Sequence, residues 1–374
     1  MGNQSSEKMK KLIYLAVFLI PYIHQAYAQN HVIASDPAFS VAIMNAREFT
    51  DSLKKALKIQ GLAVAVSIDD KIVWSEGFGY ANVETEEPIT AGTKFRIGSV
   101  SKSLTGIGLL KLVEQGKLSL DEHVQTYLPS FPNKEFKFTV RQLATHQAGI
   151  SHYTKEDYYI NERFNSVEES LKIFQNRNLA FEPGIDFLYS TFGYVLLSAV
   201  MERASGMDYL DYMQREVFDP LNIKNTVPDD LTKDIENKAT FYMPGESKPL
   251  ISVDLSYKWA GGGYLSTTSD LIEITNQFDK ILNEQSIREL WTPAPLSSGE
   301  MNPQSYAIGW RKKTTDLGLE IMHHGGLSPG GRAFVATIPS EGITIVMLAN
   351  STVKFDLDEA LTIMNFFKNE DLSK

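Results

Sequence analysis

"FRIGSVSKSLTG", residues 95–106, sets Ser99 three positions ahead of Lys102 just where a short extended piece gives way to a helical period. Apolar residues then recur at Val100, Leu104, Ile107 and Leu110, and Gly116 marks a stop, which puts Ser99 at or beside a helix N-terminus. On a helix, positions i and i+3 share a face, so Lys102 can reach the Ser99 hydroxyl. The partial positive charge and free N–H groups of a helix start favour an alkoxide, and a desolvated lysine beside it can serve as a base. The Ser-x-x-Lys spacing alone carries little weight. It recurs at Ser5/Lys8, Ser52/Lys55 and Ser351/Lys354, none of which has this setting. A helix-capping serine with a solvated lysine is the competing reading, and spacing alone leaves the two even.

Working outward, "LAVAVSIDDKIVWSEGFGYA" is apolar and β-branched on both sides of Asp69-Asp70 and reads as a hairpin. "REFTDSLKKALK", from Arg47, reads as an amphipathic helix. Residues 100–290 are mostly helical in period, broken by Pro-rich loops such as "LPSFPN" and "YMPGESKP". Three strand-like runs follow, "YAIGWRK", "GRAFVATIP" and "GITIVMLAN", and 355–368 reads as a closing helix. Strands at both ends with helices between predict one antiparallel sheet built from both chain ends and flanked by helices, an α/β arrangement of the α+β type with an inserted, mostly helical lobe.

At the N-terminus Lys10-Lys11, the apolar run from Leu12 to Ile20 and Ala26-Tyr27-Ala28 give residues 1–28 the three regions of a secretory signal peptide. Residues 29–44 read as a leader and 45–370 as the working domain, with one lobe from 45–100 and 291–370 and a helical lobe from 101–290. A periplasmic or secreted location follows, with no stable membrane span, since the one apolar run is short for spanning. The chain of 374 residues carries a formal charge of −10, and loss of residues 1–28 removes three positive charges and one negative, leaving −12. So acidic a protein is a poor match for a phosphate backbone, so no nucleic-acid partner is expected. The absence of cysteine excludes disulfides and thiolate zinc sites. His323-His324 lack metal-ligand spacing, so no metal and no cofactor are expected.

Three segments lift Ser99 above the competing reading. "GSVSK" (98–102), "YSTFGY" (189–194) and "HHGG" (323–326), in this order, resemble the three motifs of serine β-lactamase-like and penicillin-binding hydrolases, in the class C-like branch. "YSTFGY" and "YKWAGGGYLST" are most similar to the serine β-lactamase-like group known from mitochondria. The resemblance spans about residues 47–350 and implies the β-lactamase/DD-peptidase fold. Carried over by position, it implies Ser99 as nucleophile, Lys102 as its base, Tyr189 as a second proton carrier and His323 as the third-motif residue. It further implies an oxyanion hole from the backbone N–H groups of Ser99 and Gly326, with Gly325, Thr191 and His324 toward the substrate. Thr191 departs from the family, where many members have Asn. One hydroxyl replaces an amide that both donates and accepts.

The function so implied is a secreted serine acyl-hydrolase, peptidase or esterase, acting on a small peptide, ester or β-lactam. Alternatives are a true β-lactamase or D-alanyl-D-alanine carboxypeptidase, and a non-catalytic wall-peptide binder. "GLSPG" (326–330) also matches the nucleophile elbow of α/β-hydrolases through Ser328. That fold needs a histidine after the serine and a helix after the elbow. The last histidine is His324, and "GRAFVATIP" reads as a strand. His146 and His152 read as loop residues without a role.

Overall fold

The computed structural model describes residues 30–368 and 372 of the chain, so segment 1–28, expected to be a signal peptide, lies outside the described residues. Strand β1 (His31–Ser35) leads into helix α1 (Ser40–Ala56), and β2 (Gly61–Ile68) and β3 (Lys71–Asn82) form the hairpin. Asp69 and Asp70 both take positive φ, 47° and 63°, as a two-residue turn matched to strand twist requires. Near the other end come β4 (Arg311–Thr314), β5 (Glu320–Ser328), β6 (Gly331–Ile338) and β7 (Ile343–Ala349). The main sheet runs β1-β3-β2-β7-β6-β5-β4, with antiparallel neighbours throughout, and Glu87–Pro88 adds a short piece against β3. The centre of the sheet therefore joins the two chain ends, through β2 and β7.

Both faces of this sheet are covered. Leu62, Val64, Val66, Ile345 and Met347 join one core with α1 and the closing helix Leu357–Phe367. Their strand neighbours Ala63, Ala65, Val346 and Leu348 join a larger core shared with the helical lobe. The period-two alternation of the strands thus feeds two apolar layers, not one apolar and one wet face.

Helix α2 (Ser101–Glu114) is buried almost all round, as a helix at the centre of a lobe must be. It stops ahead of Gly116, whose φ is +66°. Helix α3 (Thr191–Ser205) packs beside it and ends on Gly206 in the left-handed region. A small second sheet pairs Phe95–Arg96 with Tyr264–Ser266, and Tyr264–Ser266 with Val227–Pro228. Buried Arg96 donates to Asp229 at 2.6 Å, and Lys238 donates to the other oxygen of the same carboxylate at 2.5 Å. This paired, hydrogen-bonded cluster anchors the strand that delivers Ser99.

Three expectations differ in detail. The stretch 29–44 is not a detached leader over its described part. His31–Ser35 is an edge strand on β3, and α1 starts at Ser40, seven residues before Arg47. In "YAIGWRK" only Arg311 onward is strand, because Tyr306–Trp310 folds back and hydrogen-bonds within itself, Ala307 N–H to Trp310 O at 2.8 Å. The 101–290 stretch is interrupted between 219 and 258 by long irregular segments.

Candidate active site

Ser99 lies in the single 3-10 turn Gly98–Val100, directly ahead of α2. The turn is pressed against β5. A Cβ on Gly98 (φ +49°) would stand 2.7 Å from both N and O of Leu327, and one on Gly326 would stand 1.8 Å from Ile97 O and 3.0 Å from Ser99 N. Only glycine tolerates such an approach at these two positions. One helical turn on, Lys102 is wholly buried, with Nζ 3.2 Å from Ser99 Oγ, 3.4 Å from Thr191 Oγ1 and 2.6 Å from the Gly261 carbonyl. No carboxylate pairs with it among the described residues. Burial, and then the charges of Lys258 and Arg311, hold its pKa well below the usual lysine range.

The other Ser-x-x-Lys copies within the described residues lack this arrangement. Lys55 bonds Asp51 on the exposed side of α1, and Lys354 is exposed and lies 3.9 Å from Asp356.

Tyr189 stands just ahead of Ser190, the N-cap of α3, and its ring lies 4.8 Å from Lys102 Nζ. Its buried hydroxyl has no hydrogen bond of normal geometry among the described residues. Burial raises its pKa, while Arg311 and the nearby Ser99 hydroxyl act to lower it. Thr191, the departure from the family pattern, is the first residue of α3 and puts its hydroxyl within reach of Lys102.

The third motif corrects the sequence reading by one residue. His324 faces the site, 6.2 Å ring to ring from Tyr189, and is wholly buried. His323 points through the opposite face of β5 and stacks at 5.8 Å on Phe334, a member of the second core. Gly325 goes with it, since a Cβ there would meet Phe334 and the Arg332 guanidinium. The reason is strand geometry: successive side chains alternate, and His324 and Gly326 share the face that holds Ser99. Nor is His324 at a rim. Its Nδ1 lies 2.7 Å from the Gly325 carbonyl, an acceptor, so Nδ1 carries the proton. Its Nε2 therefore accepts from Tyr306 O–H at 3.1 Å and from Arg311 at 3.2 Å. Burial first, and then the charge of Arg311, hold the pKa of this imidazole well below its usual range.

The oxyanion expectation shifts by one residue too. N and O of one strand residue lie on the same strand edge, and both atoms of Leu327 face Gly98. The peptide edge presented to the Ser99 turn is therefore that of Leu327. Gly326 turns its own amide the other way, toward β6, where it pairs with Ala333.

Several residues at the site were not singled out from sequence. Tyr306 and Arg311 come from the turn and strand before β5, and the guanidinium lies 5.2 Å from the rings of both Tyr189 and Tyr306. His146 and His152, read as idle loop residues, both lie against Tyr189, at 4.5 and 5.9 Å between rings. Lys258 is a second buried lysine, above the rings of Tyr257 and Tyr153. No local signal marks any of them, because each reaches the site through tertiary packing. Ser328 closes β5 with a buried hydroxyl that has no partner among the described residues, and a strand follows it, so the elbow reading fails.

Among the described residues no cluster suited to a metal is present. No helix there is long and apolar enough to cross a membrane.

A beta-lactamase family profile matches residues 46–365. The human serine beta-lactamase-like protein LACTB, mitochondrial, is 34% identical over 81% of this chain and 73% of its own length. Penicillin-binding protein 4* of Bacillus subtilis is 26% identical over 83% of this chain and 72% of its own. Among solved structures, the octameric penicillin-binding protein homologue from Pyrococcus abyssi superposes with a TM-score of 0.75 at 26% identity, covering 88% of this chain and 78% of that one. EstCE1, a hydrolase with promiscuous acyltransferase activity, shares the fold with a TM-score of 0.76 at 21% identity, over 88% of this chain and 99% of that one. With the fold, the half-buried Ser99 beside the buried Lys102 and these matches together, the chain belongs to the beta-lactamase-fold serine hydrolase family.

Proposed function

We propose that the protein is an acyl-hydrolase that works through an ester on Ser99, with a small peptide, ester or β-lactam as acyl donor. One observation carries this reading: Lys102 is buried without an anionic partner, 3.2 Å from Ser99 Oγ, and its pKa is depressed. A charged lysine in that place would be costly, whereas a neutral one is a base within reach of the hydroxyl.

Lys102 accepts the Ser99 proton as Oγ attacks the carbonyl carbon. Negative charge then develops on the carbonyl oxygen, between the backbone N–H groups of Ser99 and Leu327. The Tyr189 hydroxyl gives its proton to the leaving group and recovers one from Lys102, and the C–N or C–O bond breaks. Water repeats the sequence on the ester, returning Ser99 and releasing the acid. Arg311, held by His324, sets a positive charge beside the Tyr189 ring and eases passage of that proton.

Beside the neutral Lys102, Lys258 and Arg311 flank the site as cations, and neither forms an ion pair among the described residues. That excess of positive charge favours donors carrying a carboxylate. Residues 1–28 support export. N-terminal sequencing of exported material should find Gln29 first, and a start at Gly2 would contradict it.

Turnover of a panel of aryl esters, peptides and penicillins by wild type and Ser99→Ala tests the proposal. Loss of all turnover in a folded Ser99→Ala supports it. Retained turnover in a folded Ser99→Ala would remove Ser99 as the nucleophile, and a wild type inert both to the whole panel and to a serine-reactive fluorophosphonate favours a non-catalytic binder.

A further inference from the structure

Four hydrogen bonds tie the Leu188–Thr191 segment to the loop 146–152. Leu188 N–H donates to His146 O at 2.9 Å, and Ser190 Oγ donates to Ser151 O at 2.8 Å. The other two use imidazoles: Ser190 N–H donates to His146 Nδ1 and Thr191 N–H to His152 Nδ1, each at 3.2 Å. The first amides of a helix have no partner within it, and here two consecutive ones at the start of α3 are taken up by histidines from a distant loop. The arrangement is held at some expense. His146 adopts φ +64°, a left-handed conformation unfavourable for a β-carbon-bearing residue, and its Nε2 is buried with no partner among the described atoms. Its ring lies 4.5 Å from that of Tyr189 and 4.6 Å from that of Tyr306.

We infer that His146 and His152 are positioning residues. Each offers a neutral Nδ1 acceptor to one amide of the Ser190–Thr191 pair, and together they fix where the Tyr189 and Thr191 hydroxyls stand relative to Ser99 and Lys102. The inference rests on the proposed role of Tyr189 as proton carrier.

The surroundings fit this requirement, since a histidinium would turn an N–H toward the amide it must accept from. Burial first, then Lys102, Arg311 and His152, hold the His146 pKa well below its ordinary range. Burial first, then Lys102 and Lys258, hold His152 down to about 4, with Asp157 opposing them. The other neighbours are rings: Tyr189, Tyr194, Tyr306 and Phe187 about His146, and Tyr153 and Tyr189 about His152.

Asparagine and leucine at each position separate an acceptor from mere packing, because Asn Oδ1 occupies nearly the place of His Nδ1 and leucine offers no acceptor. Steady-state kinetics on an aryl ester turned over by wild type should find His146→Asn and His152→Asn within about threefold of wild-type kcat. The leucine variants should lose about tenfold or more in kcat with KM changed less than about twofold, and should still be labelled by fluorophosphonate at Ser99. Should His146→Leu fail to fold, the half-buried His152 supplies the decisive pair. Folded leucine variants with wild-type kcat, or asparagine variants as impaired as leucine, overturn the inference while Tyr189→Phe remains inactive. Full turnover in Tyr189→Phe overturns the role of Tyr189 itself, and this inference with it.

Discussion

Lys258 is 9% exposed, places Nζ 5.2 Å from the Tyr257 ring and 5.6 Å from the Tyr153 ring, and forms no ion pair among the described residues. Burial, followed by the charge of Arg96, lowers its pKa from 10.5 to about 8, against a weaker opposing pull from Asp229. In the unfolded chain the same amine titrates at its ordinary value. Between pH 8 and 10.5 the unfolded state therefore holds a proton that the folded state has lost, and stability rises with pH across that window. Below pH 8 both states are charged and the full penalty applies, about 3 kcal/mol at roughly 1.4 kcal/mol per unit. Lys258→Met, similar in length and uncharged, removes it. Urea unfolding should find this variant more stable than wild type by about 3 kcal/mol at pH 7, with the difference falling toward zero by pH 10.5. A difference independent of pH, or a Met variant less stable at pH 7, would refute the reasoning. The penalty is tolerable if an anionic substrate offsets it, so the same variant should show a raised KM for carboxylate-bearing donors.

Exchanging the two adjacent histidines tests the strand register. His324→Ala should cost about 10² in kcat/KM, because Arg311 and Tyr306 lose their shared acceptor, while His323→Ala should keep kcat and lose about 1–3 kcal/mol of stability on the Phe334 side. The opposite pattern in kinetics would restore the first reading. The Lys102 pKa is depressed in the fold, so kcat should be retained above that pKa and fall as pH drops through it. In Lys258→Met a neighbouring charge is gone, so this acid limb should move to higher pH, and an unmoved limb would separate the limb from Lys102.

Much of the framework was legible because it is local. The Asp69-Asp70 turn, the strand-like runs and the Ser99 setting at a helix start each follow from a few adjacent residues. The His323/His324 register was not. Two identical side chains are followed by two glycines, and β5 contributes Ile321 to one core and Met322 to the other, so no polar–apolar alternation says which histidine faces Ser99. The edge strand His31–Ser35 is five residues long, too short to show a period. His146, His152, Arg311 and Lys258 stay hidden for another reason. Each becomes a site residue through contacts with residues far along the chain, as Thr191 N–H to His152 and the Arg311 guanidinium beside the Tyr189 ring illustrate.

The central claim is that Ser99 carries the acyl group. Acid-quenched intact-mass spectrometry after mixing with an activated ester or a penicillin, followed by peptide mapping, tests it most directly. The account predicts one acyl equivalent on the peptide containing Ser99, persisting in Ser328→Ala and absent from Ser99→Ala and Lys102→Met. An adduct mapped to Ser328, or turnover of the same donor by folded Ser99→Ala, would contradict it.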